Sequence, residues 1–334
     1  MFTKKVTYKK AGNRCVEIHH HSGDTCHLYF YTNSPEPDNV IARFKAAGKR
    51  VQQYIEDPNI GIDRVERILD ACHAIQYQIP RTPGITRLSE DEAKKDLFKK
   101  TEGKLDLSIG LVQKDYNLLG FIRKNARDLE DWQRDLIEMV ERRSKYFVPQ
   151  GQTKIMNEGW AVLIHEKIMY DLNLPDKYHL AFLKTHNQVV RPIVGRVNPY
   201  HLGYTLFKKI EKEYGFEECL LVRETHDDES FIRKYLDEKV CAELNLFNYS
   251  KDRYSGNYSI KEISDKEGWK SVRDALISNV GLNGVPVVYV EDYEKKTNTL
   301  FIKHEHDGRD LELSHANKVY DHICYLWNDN VEFI

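Results

Sequence analysis

Apolar positions between residues 37 and 78 recur at steps of three and four residues. This period is typical of amphipathic helices. The polar stretch EDPNIG interrupts it, so we predict two helices joined by a turn, a helical hairpin over residues 35–80. Residues 1–34 show no comparable period, and we predict an irregular N-terminal segment there.

Proline, glycine and mixed charge without periodicity mark residues 81–110, which we interpret as a linker. The helical period then resumes, and residues 111–253 are predicted to form a mostly helical core. Pro149 is expected to end one of its helices, because proline lacks the backbone N–H that an interior helical position donates.

Residues 254–334 show a different pattern, in which short β-rich runs and helical runs follow the order strand, helix, strand, strand, helix, strand. That order is the split βαβ, ferredoxin-like arrangement, βαββαβ. We therefore predict an α+β protein whose mostly helical central domain is followed by a small ferredoxin-like C-terminal domain. Its separate core is predicted to contain Trp269, Val272, Leu276, Val288, Val290, Leu300, Ile302, Val319, Ile323 and Trp327.

Charge is nearly balanced, with 50 Lys and Arg against 52 Asp and Glu. No net field would draw the chain to nucleic acid or to an acidic membrane surface, so neither partner is expected. No window reaches the roughly 18 apolar residues of a membrane span, and we expect a cytoplasmic protein. The 6 cysteines contain no Cys-x-x-Cys pair, which favours reduced thiols over a disulfide framework or a zinc knuckle.

One carboxylate stands out on the helix predicted for residues 154–170. Helical steps place these residues on one stripe: Glu158, Ala161, Val162, His165 and Met169. A buried carboxylate destabilises a protein by several kcal/mol unless it is paired, hydrogen-bonded or bound to a metal. One interpretation is a structural carboxylate, held by a salt bridge to an arginine or lysine of a packed helix, with Arg223 and Arg233 foremost, or by a cluster of hydrogen-bond donors. The other is a metal ligand or general base.

Neighbouring residues suit the second interpretation. Gly159 is expected to clear space beside the carboxylate, and Asn157 to offer it a hydrogen bond. His165 lies two turns from Glu158, about 10 Å along the helix, so one ion would not easily bind both. We therefore expect His165 to support the site.

Two more carboxylates, Glu224 and Asp228, are predicted to share a helical face beside Arg223 and Arg233. Interleaved acids and bases usually form a structural ion-pair network, and the alternative is that these carboxylates face Glu158. We also predict a helix capped by Asn198 at the same site. The residues expected to support the site are Asn157, Trp160, Asn198, Tyr200, Arg223 and Arg233.

Several segments resemble the SpoVR (stage V sporulation protein R) family. The segment QTKIMNEGWA, followed by His165, resembles the family signature. Further segments in the family's order are LEDWQRDL, NPYHLG, VRETHDDESFIRKYL, WKSVRDAL and LFIKHEHDGRDLEL. Together they cover about residues 35–334. The resemblance implies a bacterial cytoplasmic protein connected with spore cortex formation, found also in bacteria that do not sporulate.

A second resemblance concerns Glu158. Asn-Glu-Gly-Trp-Ala is similar to the Asn-Glu-Gly-Phe-Ala segment of gluzincin metallopeptidases, in which the glutamate is the third zinc ligand. Full-length SpoVR-like proteins carry an upstream His-Val-x-x-His-x-Asp-Phe-Phe segment, whose histidines would complete such a site. Those positions fall on Cys15 and His19 here. We expect the first part of the family domain to be absent or replaced, with a metal set of Glu158, Cys15 and His19 as the alternative.

Two functions therefore remain. One is a metal-dependent hydrolase or amidase, using zinc or another divalent cation, with Glu158 as ligand, His165 in support, and Asp228 or Glu224 as acid, base or ligand. The other is a noncatalytic regulatory or scaffold protein. The family association suggests a serine protein kinase with an AAA-type domain, or a von Willebrand A-type protein, as its partner. The missing upstream histidines favour the second function.

Overall fold

A computed structural model of the chain describes residues 6–11, 15–20, 27–31, 37–81, 95, 113–193, 196–251, 258–263 and 268–334, with the backbone alone in the first five strands. The described helices are α1 (Pro37–Glu56), α2 (Gly61–Ala74), α3 (Leu118–Asn125), α4 (Asp131–Gln152), α5 (Lys154–Asp171), α6 (Asp176–Val190), α7 (Pro199–Tyr214), α8 (Phe216–Thr225), α9 (Asp228–Tyr235), α10 (Glu238–Glu243), α11 (Trp269–Ile277) and α12 (Leu313–Trp327). The described strands are β1 (Val6–Ala11), β2 (Cys15–His20), β3 (His27–Tyr31), β4 (Phe247–Lys251), β5 (Tyr258–Ile263), β6 (Val288–Glu294), β7 (Thr299–His304) and β8 (Val331–Phe333). The fold is α+β, as predicted.

The N-terminal strands form an antiparallel sheet, in which Lys9 pairs with Glu17 and Glu17 pairs with Tyr29. The prediction of an irregular segment over residues 1–34 is therefore wrong for these strands. Their β-branched and aromatic residues favour strands once a neighbouring strand is present. The backbone hydrogen bonds are made between segments, and the period of any one segment does not reveal them.

Both helices predicted for residues 35–80 are present, as α1 and α2, and they pack against each other. The turn between them ends at Gly61, which has a φ of +76°, a conformation that glycine adopts without strain. The predicted linker, residues 81–110, lies almost entirely outside the described residues. The boundaries assigned to the domains stay predictions.

Helix α4 continues through Pro149 to Gln152, so the expectation that Pro149 ends this helix is wrong. The proline lies in the last turn, so its missing N–H removes one hydrogen bond near the end of the helix and leaves the preceding turns intact. The hydroxyl of Thr153 donates to the carbonyl oxygen of Pro149 at 2.9 Å, and α5 begins at the next residue. None of the described helices is long and apolar enough to cross a lipid bilayer.

Helices α5 and α7 cross with their backbones in contact at two glycines. A Cβ added to Gly159 would lie 2.2 Å from the carbonyl carbon of Gly203 and 2.4 Å from its Cα. A Cβ added to Gly203 would lie 2.2 Å from the carbonyl oxygen of Ile155. The space that Gly159 leaves is therefore filled by α7, and the expectation that it clears room beside Glu158 is wrong.

Helix α7 begins as predicted, with Asn198 as its cap. Asn198 Oδ1 accepts a hydrogen bond from the Tyr200 N–H at 3.1 Å, and Pro199 occupies the first turn. Asn198 Nδ2 also donates to the carbonyl oxygens of Val189 and Arg191, both at 2.8 Å. One buried amide thus joins the end of α6 to the start of α7.

The C-terminal strands pair differently from the predicted arrangement. The element order from β5 to β8 is as expected, but β5 pairs with β4 in a separate two-stranded sheet. In the other sheet β7 lies between β6, which is antiparallel to it, and β8, which is parallel. Strand β8 therefore occupies the position beside β7 that a ferredoxin-like sheet gives to β5, and the ferredoxin-like topology is not confirmed.

The described side chains form two main hydrophobic cores, and both include residues on each side of residue 254. The first joins α2, α3 and α4 to β6, β7, β8 and α12, and contains Val65, Ile68, Phe121, Leu136, Val290, Leu300, Ile302, Ile323 and Trp327. The second joins α5 to helices α7 through α11, and contains Ile155, Leu163, Leu206, Phe207, Phe231 and Ile277. The single separate core predicted for residues 254–334 is wrong, because α11 packs in one core and α12 in the other.

The glycine contact can be tested by adding one methyl group. Gly159→Ala and Gly203→Ala should each lower the free energy of unfolding by at least about 3 kcal/mol, since a backbone rather than a flexible side chain occupies the space. Gly48→Ala, on an exposed part of α1 with no atom within 4 Å of the added Cβ, is the control. It should raise the free energy of unfolding by about 0.5–1 kcal/mol. Denaturant titration measures all three, and equal stabilities would contradict the crossing.

Two variants distinguish the acceptor function of the Asn198 amide, which caps α7, from its donor function, which binds the end of α6. Asn198→Ala loses the cap and leaves two carbonyl oxygens unpaired, so the free energy of unfolding should fall by about 2 kcal/mol. Asn198→Asp keeps the acceptor for Tyr200 but points a carboxylate oxygen, instead of the N–H donors, at the carbonyl oxygens of Val189 and Arg191. Its free energy of unfolding should fall at least as far as that of Asn198→Ala in thermal unfolding. An aspartate variant as stable as wild type would show that the donors contribute nothing.

Candidate functional site

Glu158 lies on α5, one residue before the glycine crossing and beside Tyr200 of α7. Its Oε2 atom is shielded from solvent and has no hydrogen-bond partner among the described residues, while the side chain as a whole is half-buried. Burial raises the pKa of Glu158, and the charge of Lys154 on the preceding turn opposes that rise. Burial, and then the charge of Glu158, raise the pKa of Tyr200.

Neither predicted arginine pairs with Glu158. The Arg223 guanidinium lies over the Trp160 ring, 5.0 Å from its centroid, and 3.7 Å from Glu224. Arg233 binds Glu229 at 2.8 Å. The predicted salt bridge from Glu158 to one of these arginines is therefore wrong. The reason is that both arginines find partners on or beside their own helices.

The polar neighbours expected to support Glu158 also have other contacts. Asn157 is exposed, and its amide donates to the hydroxyl of Thr153, one helical turn earlier, at 3.0 Å. Trp160 packs against Phe207 and Phe216, with ring centroids 5.6 and 5.8 Å away. Trp160 therefore contributes to the packing of α5 against its neighbours, and the Asn157 amide is directed to Thr153 rather than to Glu158.

Asp228 is fully buried at the first position of α9, where it binds the start of α5. Its Oδ2 and Oδ1 accept the backbone N–H groups of Ile155 and Met156, each at 2.9 Å. Thr153, the residue before α5, makes no side-chain cap of its own. Burial raises the pKa of Asp228 to about 6, and the backbone hydrogen bonds oppose that rise. Asp228 therefore acts as a cap supplied from another helix.

The chain turns between Glu224 and Asp228, so the single helical face predicted for them does not exist. Helix α8 ends at Thr225, and Asp227 starts α9 by exchanging hydrogen bonds with Ser230 at 2.9 and 3.0 Å. Glu224 is exposed. The Asp-x-x-Ser spacing is a capping box, the sequence signal that could have revealed this break.

The predicted metal ligands are not brought together in the described part of the chain. His165 is exposed and its ring contacts Phe182, with centroids 5.6 Å apart. No group of three His, Cys, Asp or Glu side chains suitable for a metal ion occurs among the described residues. Cys15 and His19 lie on strand β2, which separates their Cα atoms by about 13 Å, whereas a helix would bring them together. Their side chains lie outside the described part.

The site that remains is a half-buried carboxylate with a shielded, unpaired oxygen and a tyrosine beside it. Such a carboxylate can bind a cation or exchange a proton. The sequence predicted Glu158 as its centre, and Tyr200 as a neighbour. The sequence did not predict that Asp228 caps the start of α5. The first turn of α5 has no acidic side chain of its own, which is a signal that its backbone N–H groups need an acceptor from elsewhere.

Comparison with known proteins gives a family and one similar protein. The family described as SpoVR like protein matches residues 25–285. The Escherichia coli (strain K12) protein YcgB, whose description is "Uncharacterized protein YcgB", is 28% identical over 358 residues, covering 91% of this chain and 69% of YcgB. No solved structure matches the chain significantly. Because the family match covers well over half of the sequence, the chain belongs to the SpoVR-like protein family.

Proposed function

We propose that the chain acts as a noncatalytic regulatory or scaffold protein of the bacterial cytoplasm, associated with spore cortex formation in spore-forming bacteria. The observation that carries this proposal is the binding of both Asp228 oxygens by backbone N–H groups of α5. A fully buried carboxylate engaged in this way holds two helices in register, and protonating it or binding it to a metal would weaken those hydrogen bonds.

The partners in this proposal come from the family resemblance. They are a serine protein kinase with an AAA-type domain and a von Willebrand A-type protein. A scaffold needs a rigid surface on which such partners can bind. The backbone contact between α5 and α7, and the Asn198 bonds between α6 and α7, support a rigid three-helix unit.

A second candidate, a gluzincin-like hydrolase or amidase, is favoured by one observation. Glu158 retains a shielded oxygen without a partner among the described residues, as a ligand or general base would. Zinc takes three or four protein ligands, and the described side chains include no set of three His, Cys, Asp or Glu ligands that could hold a metal ion. They do not fit a zinc site, and we assign no catalytic step to them.

Replacing Glu158 distinguishes the two candidates. Because Oε2 of Glu158 has no hydrogen-bond partner among the described residues and burial raises the pKa of the carboxyl, Glu158→Gln should leave the free energy of unfolding at pH 8 unchanged or raise it by up to about 1 kcal/mol. The raised pKa means that the folded protein holds the proton more tightly. The difference in the free energy of unfolding between Glu158→Gln and wild type should therefore decrease as the pH falls through the raised pKa of folded Glu158. It should be lost below about pH 4.3, the ordinary pKa of Glu, where the carboxyl is protonated in both the folded and the unfolded state.

Metal content is measured on the same proteins by mass spectrometry after dialysis. The scaffold proposal expects no difference between wild type and Glu158→Gln, and Glu224→Gln, an exposed carboxylate, is the control. Stoichiometric zinc that survives dialysis in wild type and in Glu224→Gln, but disappears in Glu158→Gln, would overturn the proposal in favour of the hydrolase.

The capping role of Asp228 gives a further expectation. In Asp228→Asn one oxygen becomes an N–H₂ group facing a backbone N–H, so the free energy of unfolding should fall by about 2 kcal/mol or more at pH 8. Glu224→Gln, which alters the exposed carboxylate on α8, is the control and should change stability by about 0.5 kcal/mol or less. Thermal unfolding followed by circular dichroism measures both. A stable Asp228→Asn protein would contradict the structural role.

A further inference from the structure

Helix α5 presents a stripe of mixed apolar and ionisable side chains on the side away from α7. The stripe, which we call the α5 seam, consists of Glu158, Ala161, His165, Ile168 and Leu172, the last being the residue directly after the helix. The His165 ring also contacts Phe182 of α6, at the edge of the stripe. Its members follow one another at steps of three, four, three and four residues, over about 21 Å of helix. From Ala161 onward all are exposed, Ile168 by 53% and Leu172 by 58%.

This spacing is that of the seam between two packed helices. Alternating steps of three and four residues keep one row of side chains facing a partner helix. Single exposed aliphatic side chains are common on protein surfaces, but here two are aligned with an alanine and a histidine. The opposite face of α5, with Ile155, Gly159 and Leu163, is already buried against α7 and its neighbours.

Glu158, at the N-terminal end of the α5 seam, is the charged group that a partner would meet. Its Oε2 is shielded and unpaired among the described residues, and the half-buried side chain stays reachable from solvent. Removing more water from such a carboxylate is unfavourable unless a cation or hydrogen-bond donor replaces that water. A protein that covers the α5 seam must therefore bring a donor to Glu158.

We propose that the α5 seam binds an amphipathic helix of a different protein, with aliphatic side chains against Ile168 and Leu172 and one lysine or arginine against Glu158. This inference rests on the scaffold function proposed above and gives that function a surface. The partner helix carries its apolar residues at steps of three and four, with the basic residue at the end of that row.

Helix α5 of a second copy does not fit the α5 seam in either orientation. Two parallel copies of α5 would place Glu158 opposite Glu158, and like charges repel. Two antiparallel copies would place Glu158 opposite Leu172, which offers neither charge nor hydrogen bond. Contact between two copies of α5 therefore leaves Glu158 without a cation, and we assign the α5 seam to a helix of a different protein.

The test uses two synthetic helical peptides of about 18 residues, long enough to span the α5 seam. Both have leucine and alanine at steps of three and four, and they differ only in lysine or glutamate at the position facing Glu158. Fluorescence anisotropy measures their binding to the full chain. The proteins are wild type, Glu158→Gln, Ile168→Asp and Leu221→Asp, the last altering an equally exposed leucine on α8 as the matched control.

Wild type and Leu221→Asp should bind the lysine peptide at least about tenfold more tightly than the glutamate peptide. Glu158→Gln should bind both peptides with similar affinity, and Ile168→Asp should lose binding while keeping the wild-type circular dichroism spectrum. No binding of the lysine peptide, equal binding of both peptides to wild type, or binding unaffected by Ile168→Asp would each overturn the proposal. Dimerisation of wild type that Ile168→Asp abolishes would also overturn it, in favour of a second copy.

A negative result for the α5 seam is distinguishable from a negative result for the proposed scaffold function. Peptides that do not bind remove the α5 seam as a docking surface but leave the metal measurements unchanged. Zinc lost in Glu158→Gln would instead assign Glu158 to a metal site, whatever the peptides do.

Discussion

The backbone contact between Gly159 and Gly203 constrains the helical half of the molecule more than any other single interaction described. At this distance neither helix can rotate or slide without a clash, so the orientation of every side chain on α5 follows from it. The residues beside the glycine, such as Ile155 and Leu163, are directed into the core. The residues on the other side, Ala161, His165, Ile168 and Leu172, are directed to solvent.

Because the glycine contact fixes which side of α5 faces α7, the sequence predicted the position of α5 well and its buried face poorly. Periodicity identified the helix to within a residue of its observed end. It also assigned Glu158 and His165 to a buried stripe, because their apolar neighbours suggested one. Which side of α5 is buried depends on the glycine at which a second helix backbone can approach. The approaching residue is Gly203, which is distant along the chain, so the pattern within α5 does not reveal it. The cap at Asn198 was predictable because it involves local hydrogen bonds only.

Pairing between distant segments accounts for the other differences. The order of strands and helices after residue 254 follows from local patterns, but the identity of each strand's neighbour does not. Asp115, far upstream, forms a bridge with Val290 on the edge of β6, and β8 takes the place beside β7. The carboxylates differ in the same way, since Asp228 is bound by a helix that begins more than 70 residues earlier, whereas Glu158 has no partner among the described residues.

The composition of the first core also has a consequence for how the chain folds during synthesis. Val65 and Ile68 on α2 pack in the same core as Ile323 and Trp327 on α12. A ribosome makes the chain from the N-terminus, so α1, α2 and α4 emerge long before the helix that covers them. Their apolar faces stay open to water, and to chaperones, until the region around residue 327 has been translated. Most residues of the second core, around α5 and α7, lie between positions 155 and 244. These helices can therefore pack together before α12 is available to cover α2 and α4.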